Sequence, residues 1–270
     1  MRLAIDHTTH YRFSGPVSRG LQRLRLRPKT SSGQRILHWN MHFEGAGLQA
    51  EYEDPNCNHV SLISFDPGVQ EVTIRCEGLV DTNDEAGIIG KHGGFMPLWL
   101  FQEQTDLTRA GPRVRSLLSS LSQDDNVLGT LHGLSALVRG RVEYSTGHTD
   151  AATTAEGVLA AGRGVCQDHA HVFIGAARAL GVPARYVSGY LMMDDRVDQD
   201  AGHAWAEAHV QGLGWVGFDV SNGISPDARY VRVATGRDYR DAAPVTGIRY
   251  GARDEMMHVK LAVEQQHVEQ

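Results

Sequence analysis

Hydrophobic and polar residues alternate along most of the first eighty positions. Leu3, Ile5 and His7 share one parity, and Tyr11 and Phe13 resume the rhythm before a Gly15-Pro16 turn. A period of two sends successive side chains to opposite faces, so residues 3–13, 21–27, 38–43, 60–65 and 71–77 are predicted strands. Turn residues cluster between them at 30–33, 54–58 and 66–68. Short strands at this spacing predict a β-sandwich-like module. Within 21–27, Leu24 and Leu26 share a parity with Gln22, while Arg23, Arg25 and Arg27 occupy the other, expected to be a solvated strand face.

Residues 81–112 are rich in glycine and proline and suit loops, with a boundary near 105–112. Beyond it the period changes. Val114, Leu117, Leu118 and Leu121 repeat at helical spacing, as do Leu128, Leu131, Leu134, Leu137 and Val138. After Pro183 strand-like runs return at 184–193, 203–210 and 215–220, and the tail alternates once more over 257–263. The pattern divides the chain into a β-rich N-terminal domain (1–108), a mixed core (109–245) and a C-terminal strand segment (246–270), an α+β protein.

With 270 residues the chain is long enough to bury a sizeable core without staples. Its 26 basic and 32 acidic residues leave a net charge of −6. That gives neither nucleic acid nor an anionic membrane a basic footprint, so neither is an expected partner. Three cysteines (Cys57, Cys76, Cys166) are too few for a disulfide scaffold and point to a reducing compartment with at least one free thiol. The first residues lack the apolar run of a secretion signal, and no stretch approaches the length of a membrane span. A soluble, cytoplasmic protein is expected.

The chemistry concentrates at Gly162-Arg-Gly-Val-Cys166-Gln-Asp-His169-Ala-His171. Ala170, Phe173, Ile174, Ala177 and Leu180 fall on one helical face, and Gly181 with Pro183 closes the helix. Cys166 therefore belongs to the first turn, where the positive end of the helix favours a thiolate nucleophile. A base and its orienter are expected downstream, in His203-Ala-Trp205-Ala-Glu207-Ala-His209 and Trp215-Val-Gly-Phe-Asp219. These runs read as a hairpin. His203 and Asp219 share a face only if its loop holds an odd number of residues or a bulge intervenes, and Gly212 and Gly214 suit such a loop. Gln167, Asp168 and Trp205 are weaker candidates for the substrate cleft or oxyanion site. The oxyanion is expected to use the Cys166 N–H with a second, unidentified donor. Cys166, His169 and His203 offer the donors of a zinc site, but the sequence has no His-Glu-x-x-His pattern and no second cysteine nearby, so no metal is expected. The other histidines, His267 among them, read as ordinary strand, loop or surface residues.

The blocks Gly-Val-Cys166-Gln-Asp-His-Ala-His, His203-Ala-Trp-Ala-Glu and Gly214-Trp-Val-Gly-Phe-Asp219 resemble the catalytic core of the transglutaminase-like superfamily. His7-Thr-Thr-His-Tyr11-Arg-Phe-Ser-Gly-Pro-Val17 and Leu24-Arg-Leu-Arg-Pro28 resemble the N-terminal domain of its bacterial branch, often described as candidate cysteine proteases. The resemblance implies a papain-like core, with helices packed on an antiparallel sheet, and a triad of Cys166, His203 and Asp219. It implies acyl transfer through a thioester on Cys166, without a cofactor, on a protein or peptide substrate. Hydrolysis is the preferred outcome, and transamidation to an amine or a non-catalytic peptide-binding module are the alternatives. The chain departs from the family pattern in three places. His169 replaces an aromatic, Val220-Ser221 replaces a frequent Pro-Thr, and Cys57 replaces a glycine before Asn58.

Overall fold

The computed structural model describes residues 1–122 and 126–266, so His267 lies outside the described residues. Two antiparallel sheets form the N-terminal part. One runs Asp198–Gln199, Glu255–Gln265, Arg2–Val17, Val69–Thr82, Gln34–Glu44 in spatial order, and the other Val245–Tyr250, Arg19–Leu24, His59–Phe65, Ala46–Glu53. Alternation along Arg2–Val17 turns Leu3, Ile5 and Tyr11 inward against Leu24, Ile63, Val72 and Ile74, which makes the first hydrophobic core.

The second core lies between helices and a five-stranded sheet ordered Tyr230–Gly236, Ala184–Leu191, His203–Val210, Gly214–Phe218, Ile88–Gly90. Ala204, Ala206 and Ala208 join this core with Ala170, Phe173 and Ala177 of the helix Cys166–Ala179. Side chains this small let a helix approach a strand closely. Phe173 stacks on Phe218 with ring centroids 5.0 Å apart. The helix C-terminus is anchored by the buried Arg178, whose guanidinium donates to the carbonyls of Phe101, Ala184 and Arg237 and to the Thr108 hydroxyl. The fold is thus α+β, a two-sheet β module followed by helices on an antiparallel sheet.

Four stretches pair across the division drawn from sequence. Ile88–Gly90 closes the edge of the core sheet, while Asp198–Gln199, Val245–Tyr250 and Glu255–Gln265 join the two N-terminal sheets. An unpaired strand edge exposes amide and carbonyl groups, and these crossings cover such edges. All three cysteines are free thiols.

Buried polar groups join the two parts. The Asn58 side chain donates to the Thr235 carbonyl and accepts the Thr235 N–H, each at 2.8 Å, as a neighbouring strand would. His7 meets the Tyr190 hydroxyl at 2.9 Å, and burial pushes its pKa down to about 4. Within the core sheet itself, Glu207 is fully buried between Arg185 (2.6 Å) and Arg232 (2.7 Å), with the Arg185 guanidinium 3.8 Å over the Trp215 ring. Burial alone would raise the Glu207 pKa; the two guanidinium charges hold it down at about 2. Arg25 departs from the solvated face expected of it. The strand ends at Leu24, and Arg25 turns inward to pair with Asp54 at 3.0 Å.

The Asp54–Asn58 turn explains one departure from the family pattern. Asp54 accepts the N–H groups of Asn56 and Asn58 and the Asn58 amide, and Cys57 sits between them at φ 56. That left-handed conformation suits glycine and costs a side-chain-bearing residue about 1–2 kcal/mol. The replacement Cys57→Gly should remove this strain and lose about 0.4–1 kcal/mol to greater unfolded-state freedom. We predict a thermal midpoint higher by about 1–3 °C. A midpoint below wild type in calorimetry would contradict strain at this turn.

Candidate active site

The turn that presents Cys166 is built from glycines and one carboxylate. Gly162 ends the preceding helix in a left-handed conformation at φ 68. A Cβ on Gly164 would come within 2.6 Å of the Asp168 carboxylate, so only glycine lets the chain pass there. Asp168 accepts the Val165 N–H at 2.7 Å and the Thr149 hydroxyl at 2.6 Å, folding the chain into the helix that begins at Cys166. Asp168 is therefore fully buried and shapes the turn instead of lining the cleft. Burial pushes its pKa up, against the hydrogen bonds from Thr149 and Val165.

The hairpin pairs Val210 with Gly214, which leaves the three-residue loop 211–213. Gly212 and Gly214 take φ values of 88 and 85, and a Cβ on Gly214 would meet the Gly90 carbonyl at 2.0 Å. With Ala206 opposite Phe218, the odd loop gives His203 and Asp219 the same face. His203 Nε2–H donates to the Asp219 carboxylate at 2.6 Å. The same carboxylate accepts the Tyr230 hydroxyl and the Asn222 amide, each at 2.6 Å, and the Asn222 N–H at 3.2 Å. Asp219 thus orients the imidazole and also holds the turn that follows it.

His203 and Asp219 lie 8% and 0% exposed, and Cys166 is half-buried. Burial alone would lower the His203 pKa, but hydrogen bonds and charge at Asp219 and Cys166 outweigh it and raise the value to about 10. Burial alone would raise the Asp219 pKa, but the hydrogen bond and charge of His203, with the hydrogen bonds from Tyr230 and Asn222, outweigh it and hold Asp219 below the usual carboxylate range. With Nε2 committed to Asp219, Nδ1 is the ring nitrogen left for Cys166.

Trp205 stacks on the imidazole at 6.2 Å and Tyr230 lies 6.0 Å from it. Trp205 is 2% exposed, so it backs the histidine instead of walling the cleft. Gln167 is half-buried on the first turn of the helix, and neither it nor Cys166 is among the residues that line the cleft beside His203. That cleft holds about 590 Å³ beside His203, with Tyr144, Met192, Asn222, Arg229 and Tyr230 among its lining. Sequence reasoning missed Tyr144, Asn222 and Tyr230. Of these only Asn222 carries a sequence signal, as one of the turn-forming residues Ser221-Asn222-Gly223 that follow Asp219.

His169 and Ser221, two departures from the family pattern, meet each other. The Ser221 hydroxyl donates to His169 Nδ1 at 2.8 Å, while Nε2–H donates to the Val142 carbonyl at 2.9 Å. Burial lowers the His169 pKa, consistent with a neutral ring. Both nitrogens are engaged by the protein, and no group of three or more His, Cys, Asp or Glu among the described residues is arranged to hold a metal ion.

The raised His203 pKa gives a titration test. From the ordinary 6.5 to about 10 the imidazolium persists only in the folded protein. Its stabilising contribution is full below 6.5 and is lost as pH rises through about 10. Imidazole signals of His203 in NMR should remain those of the cation from pH 7 to 9, and Asp219→Asn should move the midpoint towards about 6.5. A wild-type midpoint near 6.5 would contradict this geometry.

Residues 116–220 match the transglutaminase-like superfamily, and residues 3–81 match the bacterial transglutaminase-like N-terminal region. A protein of Mycobacterium leprae (strain TN), itself uncharacterized, is 24% identical over 278 residues, covering 93% of this chain and 94% of that one. A Mycobacterium tuberculosis protein (strain H37Rv), also uncharacterized, is 29% identical over 281 residues, covering 92% and 88%. Among solved structures, a candidate cysteine protease from Cytophaga hutchinsonii is similar in fold, with a TM-score of 0.79 at 21% identity, covering 100% of this chain and 92% of that one. The two matched regions follow one another in the order read from the motifs, a bacterial transglutaminase-like N-terminal region at 3–81 and then a transglutaminase-like core at 116–220.

Proposed function

We propose that the protein is a cysteine-dependent hydrolase of peptide or carboxamide bonds. The observation that carries the reading is His203, hydrogen-bonded to Asp219, in contact with Cys166 and on the wall of a cleft of about 590 Å³. A thiolate at a helix start attacks a carbonyl carbon, and an imidazolium kept charged to about pH 10 protonates the departing amine. Asp219 holds the ring tautomer and stabilises its cation. The thioester then passes its acyl group to water, with His203, now neutral, as general base. The Cytophaga hutchinsonii protein, a candidate cysteine protease, supports hydrolysis over transamidation by analogy of fold.

The test compares wild type with Cys166→Ala on a library of glutamine- and amide-bearing peptides, with and without a primary amine, read by mass spectrometry. Cleavage or deamidation that is insensitive to added amine, and reduced by about a thousandfold or more in the variant, is expected. Amine incorporation would replace hydrolysis with transamidation. Alkylation of Cys166 no faster than that of Cys57 and Cys76 would favour a peptide-binding module.

A further inference from the structure

We infer that the Tyr144 hydroxyl is the second donor of the oxyanion site, paired with the Cys166 N–H. The inference deepens the acyl-transfer reading and rests on it. A thiolate attacking a carbonyl moves the carbonyl π electrons onto oxygen, and that oxygen needs donors already in position. One is the backbone of Cys166 itself: as the first residue of its helix, its N–H has no acceptor within the helix.

The second follows from accounting for the donors that line the cleft. Tyr230 and the Asn222 amide donate to Asp219. Ser221 donates to His169, and His203 is committed to Asp219 and Cys166. Arg229 is paired with Asp227 and Asp194, and Arg196, 3.7 Å from Asp195, is largely exposed to solvent. Of the uncharged polar side chains on this wall, only the Tyr144 hydroxyl makes no hydrogen bond within the protein, among the described residues.

Its place is fixed by the backbone that presents the nucleophile. Glu143–Tyr144 runs parallel to Arg163–Gly164, with Tyr144 opposite Gly164, and the Ser145 N–H donates to the Gly164 carbonyl at 2.8 Å. Tyr144 is therefore pinned beside the chain two residues before Cys166. Its ring lies 6.1 Å from that of His169, one turn along the Cys166 helix, and 53% of the residue is exposed at the cleft. Partial burial and the negative charges of Cys166 and Asp219 keep the phenol protonated, so it is a donor at neutral pH.

In the step itself the sulfur–carbon bond forms, the carbonyl oxygen becomes anionic and accepts hydrogen bonds from Tyr144 and the Cys166 N–H, and no proton leaves either donor. Collapse restores the carbonyl and breaks the carbon–nitrogen bond, and the amine takes its proton from His203.

Two probes of Cys166 separate this role from a structural one. A carbon-13-labelled N-acetylaminoacetaldehyde forms a hemithioacetal whose oxygen occupies the oxyanion position, whereas iodoacetamide alkylates sulfur by displacement and develops no oxyanion. Tyr144→Phe should raise the dissociation constant of the aldehyde adduct by about tenfold or more, with the alkylation rate within twofold of wild type. Gln167→Ala, on the alternative side-chain donor, should leave the adduct unchanged. Adduct affinity within twofold of wild type in Tyr144→Phe would overturn the inference while leaving acyl transfer intact. So would a loss in Gln167→Ala in its place, or no wild-type adduct despite rapid alkylation. Slow alkylation together with no adduct in wild type would overturn the acyl-transfer reading, and this inference with it.

Discussion

A hairpin gives residues of like parity one common face only when its loop holds an odd number of residues, and 211–213 meets that condition for His203 and Asp219. One residue more or fewer would turn Asp219 away and leave His203 buried with no carboxylate. The cost of burying an imidazolium without a partner would then drive the ring neutral. With the carboxylate in place the balance reverses, and the cation is kept to about pH 10. The two glycines of the loop accept left-handed conformations, and Gly214 also lets the Gly90 backbone close the sheet edge.

The N-terminal module supports the site from behind. Asn58 bonds both backbone groups of Thr235, on the strand Tyr230–Gly236 that begins with the tyrosine bound to Asp219. Glu207 ties the neighbouring strands through Arg185 and Arg232. Removing one partner from such a buried ionic group typically costs about 3–5 kcal/mol, because the other charge is left uncompensated. The N-terminal module thus connects to the His203–Asp219 pair through the strand that Tyr230 begins.

The departures from the family pattern are accounted for locally. His169 and Ser221 replace residues in different blocks of the sequence and form one hydrogen bond, joining the Cys166 helix to the turn after Asp219. Cys57 keeps a turn shaped for glycine because Asp54 and Asn58 over-determine it.

The sequence by itself determined the elements and the outline of the site. Periods of two and 3.6 located the strands and helices, the glycines around Cys166 marked a helix start, and the parity of His203 and Asp219 required an odd loop. These are short-range constraints, set by the backbone of neighbouring residues. Tertiary structure decided what depends on contacts between distant segments. Asp168 and Trp205, adjacent in sequence to catalytic candidates, turn inward because a carboxylate is needed to fold the turn and a large ring to back the imidazole. Arg25 is buried because Asp54 waits for it across the module. Tyr144 and Tyr230 carry no motif. They reach the site only because strand pairing and sheet order bring residues far along the chain to one cleft, an arrangement that no local pattern of side chains encodes.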